Sequence, residues 1–246
     1  MADKALQPHA VLDLPSRAKK GAKIAEILQL SSRPSPIRLL EIGTGSGGIA
    51  HHFGTHPGLS CEVTAVDVCD QRQVRGGYRF VPVEGVQLPF EDAHFDVVIT
   101  NHVIEHVGDR NAQAAHLREV RRVLAPSGIG YLAVPNRWML VEPHYRLAFL
   151  SWWPEALRSP YLRWMGKGSH YDCRPLTQPQ LDGLLEEAGL GYRHVEVEAL
   201  GATLRLESGH SRLAFAVARL PAPILRALTP IIPTLICTLW RAPDAQ

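Results

Sequence analysis

The sequence predicts an α/β fold, a parallel sheet with helices on both faces. Three observations carry that reading. An apolar run at 37–42 opens directly into the glycine-rich Gly43-Thr-Gly-Ser-Gly-Gly48. Further short apolar runs follow at 61–68, 78–83, 94–100 and 128–135. Helical patterns alternate with these runs, and strands that alternate with helices build a parallel sheet.

Taken in order, residues 17–30 read as an amphipathic helix, with Ile24, Ile27, Leu28 and Leu30 at helical spacing and Ser16 as its N-cap. SSRPSP at 31–36 breaks it. The first strand, IRLLEI, leads into the glycine loop, and the second, CEVTAVDV, ends in an acid. YRFVPV is followed by Glu84, and HFDVVIT by a helical pattern through 103–123. The fifth strand, GIGYLAVP, follows a turn at Pro126-Ser127-Gly128. A helix at 178–189 starts at Thr177 and stops at Gly189. Two last strands are expected at 191–199 and 233–240, with a helix at about 211–228 between them.

The chain has 246 residues, 46% of them hydrophobic, enough for one large core. One domain over 1–246 is the expectation. A net charge of +2 with 20% charged residues gives no basic patch for a polyanion, so no nucleic-acid partner is expected. Cys61, Cys69, Cys173 and Cys237 form no CxxC pair, which fits reduced thiols in a cytoplasmic protein. The N-terminus shows no basic region followed by an apolar one, so no signal peptide is expected. The apolar stretch 213–240 is interrupted by Arg219, Arg226 and four prolines. No uncharged run there reaches the roughly 18 residues of a spanning helix, which leaves peripheral membrane contact open.

The chemistry centres on Glu41-x-Gly43-x-Gly45-x-Gly47. Glycines allow a tight turn off a strand and close approach of a ligand to the backbone. The helix N-terminus that follows suits a carboxylate or phosphate. Gly43, Gly45 and Gly48 also satisfy the dinucleotide pattern G-x-G-x-x-G, so this loop alone fits two cofactor classes. Asp67, at the end of the second strand, has the position of a residue that accepts hydrogen bonds from ribose hydroxyls.

The segment EGVQLPFEDAHFDVVIT at 84–100 separates the two classes. With the glycine loop, Asp67 and LAPSGIGYLAVPN at 124–136, it resembles the small-molecule, type 11/12-like branch of the class I S-adenosylmethionine (SAM)-dependent methyltransferases. The resemblance covers about residues 37–136. It implies a Rossmann-like three-layer sandwich whose mostly parallel seven-stranded sheet has its last strand antiparallel, with an aromatic lid inserted after strand 5. It implies SAM as cofactor and S-adenosylhomocysteine as product. Gly43, Gly45 and Gly47 would line the methionine end of SAM, with Glu41, Thr44 and Val68 in the same cofactor site. Asp67 would hold the ribose, Glu84 and the backbone of Gly85 would face the adenine, and Asn101 and His102 would border the sulfonium. Two features depart from the family: Glu84 replaces the usual aspartate, and the shorter stretch from Asp67 to Glu84 must clip the second helix. By the same resemblance the domain divides into a lid helix (16–31), the SAM-binding core (37–136), an acceptor lid (136–177) and the remaining core elements (178–240).

His102-Val-Ile-Glu105-His106 places three metal-ligand types at i, i+3 and i+4, one face of a helix. No metal is the preferred reading, and a site built from His102, Glu105 and His106 is its alternative, similar to the E-x-x-E-H site of some metal-dependent O-methyltransferases. His102, His106 and His144 are the candidate bases, because imidazole titrates near neutral pH.

Residues 136–177 break the strand–helix rhythm. They hold Trp138, Tyr145, Phe149, Trp152, Trp153, Tyr161, Trp164 and Tyr171, and six Arg or Lys against three Asp or Glu. Aromatic density at the ligand edge of a sheet favours an apolar acceptor pocket. The basic excess suggests an acceptor that is anionic or lipid-linked, or a membrane surface. The predicted activity is methyl transfer to a small, partly apolar metabolite, with O-methylation favoured over C- or N-methylation. A non-catalytic SAM-binding module and an NAD(P)-dependent oxidoreductase are the alternatives. The acceptor and the oligomeric state are not legible in the sequence.

Overall fold

A computed structural model describes residues 13–206 and 229–243. Its main sheet contains β1 (Ile37–Ile42), β2 (Cys61–Asp67), β3 (Arg79–Pro82), β4 (Phe95–Asn101), β5 (Leu124–Pro135), β8 (Leu190–His194) and β9 (Thr234–Arg241). Their order is β3-β2-β1-β4-β5-β9-β8. The first five pair in parallel, and β9 inserts antiparallel to both β5 and β8. This is the seven-stranded, mostly parallel sheet with an antiparallel last strand that the resemblance implied.

Successive residues along a strand face opposite sides, and here both sides are apolar. Leu39, Val97, Ile99, Tyr131 and Ala133 meet Ile24 of α1 (Leu14–Ile27), its C-cap residue Leu28, and Ile49 and Phe53 of α2 (Gly48–Thr55). Their neighbours Leu40, Val98, Leu132 and Val134 meet Leu117 and Val120 of α3 (Arg110–Val123) and Leu181 and Leu184 of α5 (Gln178–Glu187). Two cores on one sheet make the three layers. Each fully buried Leu or Phe contributes about 1.5–3 kcal/mol.

Several boundaries differ from the sequence reading. α1 starts earlier, at Leu14, with Asp13 as N-cap and Pro15 in the first turn; Ser16 lies inside the helix and its Oγ donates to the Asp13 carbonyl. The first-turn proline is pre-set for that role, which displaces the serine cap. The pattern at 103–123 becomes helical only from Arg110, where Asp109 caps by accepting from Ala112 N. Residues 104–106 form a turn, so His102, Glu105 and His106 do not share a helix face. The turn expected at 126–128 is absorbed into β5, whose pairing with β4 shifts register between Phe95 and Val97. The strand expected over 191–199 ends at His194, and α6 (Glu196–Leu206) follows it. Thr177 caps α5 in a reciprocal box with Gln180, and Gly189 follows the helix at φ 69°. The helix expected at 211–228 lies outside the described residues.

The short 67–84 spacing predicted a clipped helix between β2 and β3; the structure has no helix there at all. The chain instead folds back onto the glycine loop. Gln73 N and Val74 N donate to the Ser46 carbonyl, His51 Nδ1 lies 2.8 Å from the Gly76 carbonyl, and Arg72 stacks over Phe80 at 3.9 Å.

The segment after β5 builds a small unit of its own. It contains the hairpin of β6 (Val141–Glu142) and β7 (Leu147–Ala148), the helix α4 (Glu155–Trp164), and a core of Leu147, Leu150, Leu162, Tyr171 and Cys173. Its far end is pinned to the sheet: Arg137 N donates to the Leu176 carbonyl, and Arg174 N to the Glu105 carbonyl. No helix among the described residues is long and apolar enough to cross a membrane.

Candidate active site

The C-terminal ends of β1, β2 and β4 converge on one edge of the sheet, where α/β folds bind ligands. The glycine loop starts there. Gly43, Gly45 and Gly47 all have positive φ, at 74°, 52° and 79°. A Cβ on Gly43 would collide with Val103 Cγ2, and one on Gly47 with the Tyr78 hydroxyl and the Val74 carbonyl. The loop is therefore pressed between the turn after β4 and the chain after β2.

Glu41 is 2% exposed and its carboxyl faces inward. Thr44 Oγ1 donates to Glu41 Oε2 at 2.7 Å, and Ala50 N donates to the same oxygen at 3.0 Å. The side chain thus ties the loop to the first turn of α2. Burial raises its pKa to about 8, against the lowering effect of those two bonds. Asp67 is half-buried; its Oδ2 accepts from Gly45 N at 2.8 Å and its Oδ1 from Cys69 N at 3.2 Å. Val68 beside it is 51% exposed. Glu84 and Gly85 are exposed, and a Cβ on Gly85 would meet nothing within 4 Å. At the end of β4, Asn101 Oδ1 is buried without a hydrogen-bond partner among the described residues, as is Ser46 Oγ in the glycine loop.

His102 follows Asn101 with φ 59°, its N–H bonded to the Ala133 carbonyl. That backbone bond holds the residue in a left-handed conformation which a non-glycine residue seldom adopts. His102 Nδ1 lies 3.3 Å from Glu105 Oε1, and His106 Nε2 lies 3.9 Å from the same oxygen. Glu105 is fully buried, and neither of its carboxylate oxygens accepts a hydrogen bond among the described residues.

The insert brings further residues to the same place. Glu142, buried in β6, accepts from Tyr145 N at 2.8 Å and lies 2.7 Å from His144 Nδ1. This carboxylate raises the His144 pKa against the effect of burial. The His144 and His106 rings stand edge to face at 6.0 Å. Cys173 Sγ lies 3.9 Å from His106 Nδ1 and 3.8 Å from Asp172 Oδ1. His102 and His106 therefore sit near the buried Glu105, and His106 and His144 near the buried Cys173 thiol. Sequence reasoning singled out His102, Glu105, His106 and His144. It did not find Cys173 and Asp172, because no local spacing links 172–173 to 102–106. The pinning of 174 to 105 makes them neighbours.

The aromatic residues divide. Tyr171 packs inside the insert. Trp138, Phe149, Trp152, Trp153 and Trp164 are exposed by 39–80%, and the Trp138, Trp152 and Phe149 rings meet edge to face.

A family model described as a methyltransferase domain matches residues 16–195. The chain is 28% identical over 165 residues to a ubiquinone biosynthesis O-methyltransferase of Ruegeria pomeroyi, covering 63% of this chain and 60% of that protein. It is 34% identical over 112 residues to the ubiquinone/menaquinone biosynthesis C-methyltransferase UbiE of Azotobacter vinelandii, covering 41% and 43%. The chain thus spans about 60% of the length of the first of these relatives. Its fold is similar to that of a SAM-dependent methyltransferase from Methanosarcina mazei, with a TM-score of 0.56, 18% identity, and coverage of 89% and 98%.

Proposed function

The chain belongs to the class I SAM-dependent methyltransferase family, and from that premise we propose that it moves a methyl group from SAM to a hydroxyl of a small, partly apolar aromatic acceptor. The observation that carries this reading is the buried Glu105 behind His102 at the C-terminal edge of the sheet, beside an insert rich in exposed aromatic rings. Family membership sets aside the nicotinamide alternative.

The residues fit SAM. Asp67 is accessible enough to accept from ribose hydroxyls while it steadies Gly45. Open space at Gly85 and the exposed Val68 suit an adenine, with Glu84 at its rim. The buried oxygens of Asn101 and Ser46 lack protein donors, which suits the ammonium of the methionine end. Glu41 and Thr44 act one step back, by fixing the loop. When bound, SAM supplies a methyl group already activated on a sulfonium.

The chain must then align the acceptor oxygen in line with that methyl, and remove the proton. Such alignment lowers a barrier by about 7–11 kcal/mol. His102 is the proposed base: Glu105 Oε1 lies 3.3 Å from its Nδ1, close enough for the carboxylate charge to stabilise the imidazolium formed. His144 is held toward its protonated form by Glu142 and serves better as a hydrogen-bond donor to the acceptor than as a base. The named roles of the relatives in ubiquinone biosynthesis support an aromatic acceptor here. An amine or carbon acceptor would need less help from a base.

The test is S-adenosylhomocysteine release with a panel of catechols, hydroquinones and aryl amines. Turnover restricted to hydroxylated rings, with kcat lowered at least 100-fold in His102→Ala, is the expected result. A chain that binds SAM but turns over no acceptor in the panel would favour the non-catalytic SAM-binding module. Turnover of amines alone, unaffected by His102→Ala, would overturn the assignment of an O-methyltransferase.

A further inference from the structure

Helix α4 carries two apolar stripes, and only one of them faces protein. Leu162 is buried in the core of the insert with Leu147, Leu150, Tyr171 and Cys173. On the same side Arg158 is buried, donates Nε to the Trp153 carbonyl at 2.9 Å and lies over the Tyr171 ring at 5.9 Å. Leu157, Tyr161 and Trp164 recur at i, i+4 and i+7, the spacing of a second stripe. Tyr161 braces it: the hydroxyl donates to the Ala148 carbonyl, and the ring lies 5.9 Å from that of Trp153 and 6.2 Å from that of Trp164. Trp153, Leu157 and Trp164 are exposed along this stripe, Trp164 by 80%, and Met165 is exposed at the helix end.

Cations stand beside this ridge. Residues 163–170 are all exposed and include Arg163 and Lys167. A Cβ on Gly168 would touch Tyr145 Cε1 at 3.4 Å, which sets the tip beside the hairpin that carries the exposed Arg146. Arg146, Arg163 and Lys167 make no ion pair among the described residues. The acids of the insert are engaged elsewhere: Glu142 is buried against His144 and Tyr145, Glu155 lies 2.8 Å from Arg174, and Asp172 lies beside Tyr145 and Cys173.

We propose that this ridge docks on an anionic phospholipid surface, with Trp153, Leu157, Trp164 and Met165 at the boundary of headgroups and acyl chains and Arg146, Arg163 and Lys167 on lipid phosphates. An indole suits that boundary, because its ring is apolar and its N–H can remain hydrated. Long basic side chains lay their stems on apolar surface and keep the charge in water, and the negative potential of an anionic leaflet attracts them. A bilayer needs no shaped pocket, only an apolar ridge flanked by cations. A protein partner would need acids placed to match Arg163 and Lys167, and that occupant is one outcome of the test. No residue of α4 takes part in the methyl transfer proposed above, so the ridge is free to serve as an anchor during turnover.

The test is co-sedimentation of the full-length chain with vesicles of phosphatidylcholine, with and without phosphatidylglycerol. The expected result is binding that needs the anionic lipid, falls as salt is raised and shifts tryptophan emission to the blue. Trp164→Ala should lower the partition coefficient by roughly tenfold. Arg163→Gln and Lys167→Gln should each lower it by about fivefold. All three positions are exposed, so the melting temperature should match wild type. The proposal is overturned if the wild-type chain stays in the supernatant with anionic vesicles, or if binding is unchanged when the three substitutions are combined. It is equally overturned if light scattering shows a dimer that Trp164→Ala dissociates, because the ridge then belongs to a second copy of the chain. Every measurement is made without SAM or acceptor, so membrane docking and methyl transfer stand or fall separately.

Discussion

The glycine-loop edge and the aromatic insert lie beside the same turn after β4 but are built by different means. The loop edge is made of backbone: three glycines at positive φ, amides of 45, 50 and 69 on two carboxylates, and the carbonyl of Ser46 holding the chain after β2. The insert edge is made of side chains from residues 102–106, 142–145 and 171–173, held by contacts distant in sequence. Backbone cradles tolerate variation in side chains but not in conformation. Side-chain clusters behave the other way round. A cofactor shared by a whole family suits the first design, and an acceptor that differs among members suits the second.

Four substitutions can break or sharpen that contrast. The largest effect is expected from Gly47→Val, which places a β-branched residue at φ 79° and drives its Cβ into Tyr78 and the Val74 carbonyl. SAM binding should fall beyond calorimetric detection, more than roughly 100-fold, with a lower melting temperature. Normal binding would mean that the loop is not the cradle. Asp67→Ala removes the acceptor proposed for the ribose and should weaken SAM by about ten- to a hundredfold, near 1.5–3 kcal/mol. An unchanged Kd would end the ribose assignment.

On the other side, Trp152→Ala removes an indole that donates to the Met139 carbonyl and meets the rings of Trp138 and Phe149. It should raise the acceptor KM by roughly three- to tenfold while SAM affinity stays within twofold. Equal losses for both ligands would show that the two edges are not separable.

The smallest effect concerns neither edge. His194, at the opposite end of the sheet order, lies 2.8 Å from both Asp182 and Glu196 and 3.5 Å from Cys237. Cys237, then Glu196 and Asp182, raise its pKa to about 11. A raised histidine pKa stabilises the fold below the ordinary value near 6.5, and that contribution fades as pH climbs toward 11. The stability difference between wild type and His194→Gln, measured by urea denaturation, should be about 1.5–3 kcal/mol near pH 6 and shrink toward pH 10. A difference that does not change with pH would mean that His194 is neutral throughout.

The legibility of the two edges follows the same division. Glycine-loop spacing, the acid that ends β2 and the L-P-F turn are local patterns, and local patterns survive in a bare sequence. That the crossover between β2 and β3 is shortened was legible for the same reason, from the 17-residue step from Asp67 to Glu84, but the spacing still predicts a clipped helix where the structure has none. The H-x-x-E-H spacing misled because it assumed a helix that Asp109 does not start until Arg110. Glu41 belongs to the local glycine-loop motif, and only the structure shows that its buried carboxyl braces the loop through Thr44 and Ala50.

By itself the sequence determined the α/β class, the family and the glycine loop, because alternating apolar runs and strand–loop–helix spacing are short-range constraints on the chain. Only the tertiary structure decided that Glu105 is buried behind His102, that the buried Glu142 raises the pKa of His144, and that Cys173 lies beside His106. The contact of Cys173 with His106 crosses 67 residues, and that of the His106 and His144 rings crosses 38. They exist because the insert leaves the sheet after β5, forms its own small core, and returns to pair 174 with 105. No local pattern records where such a detour comes back.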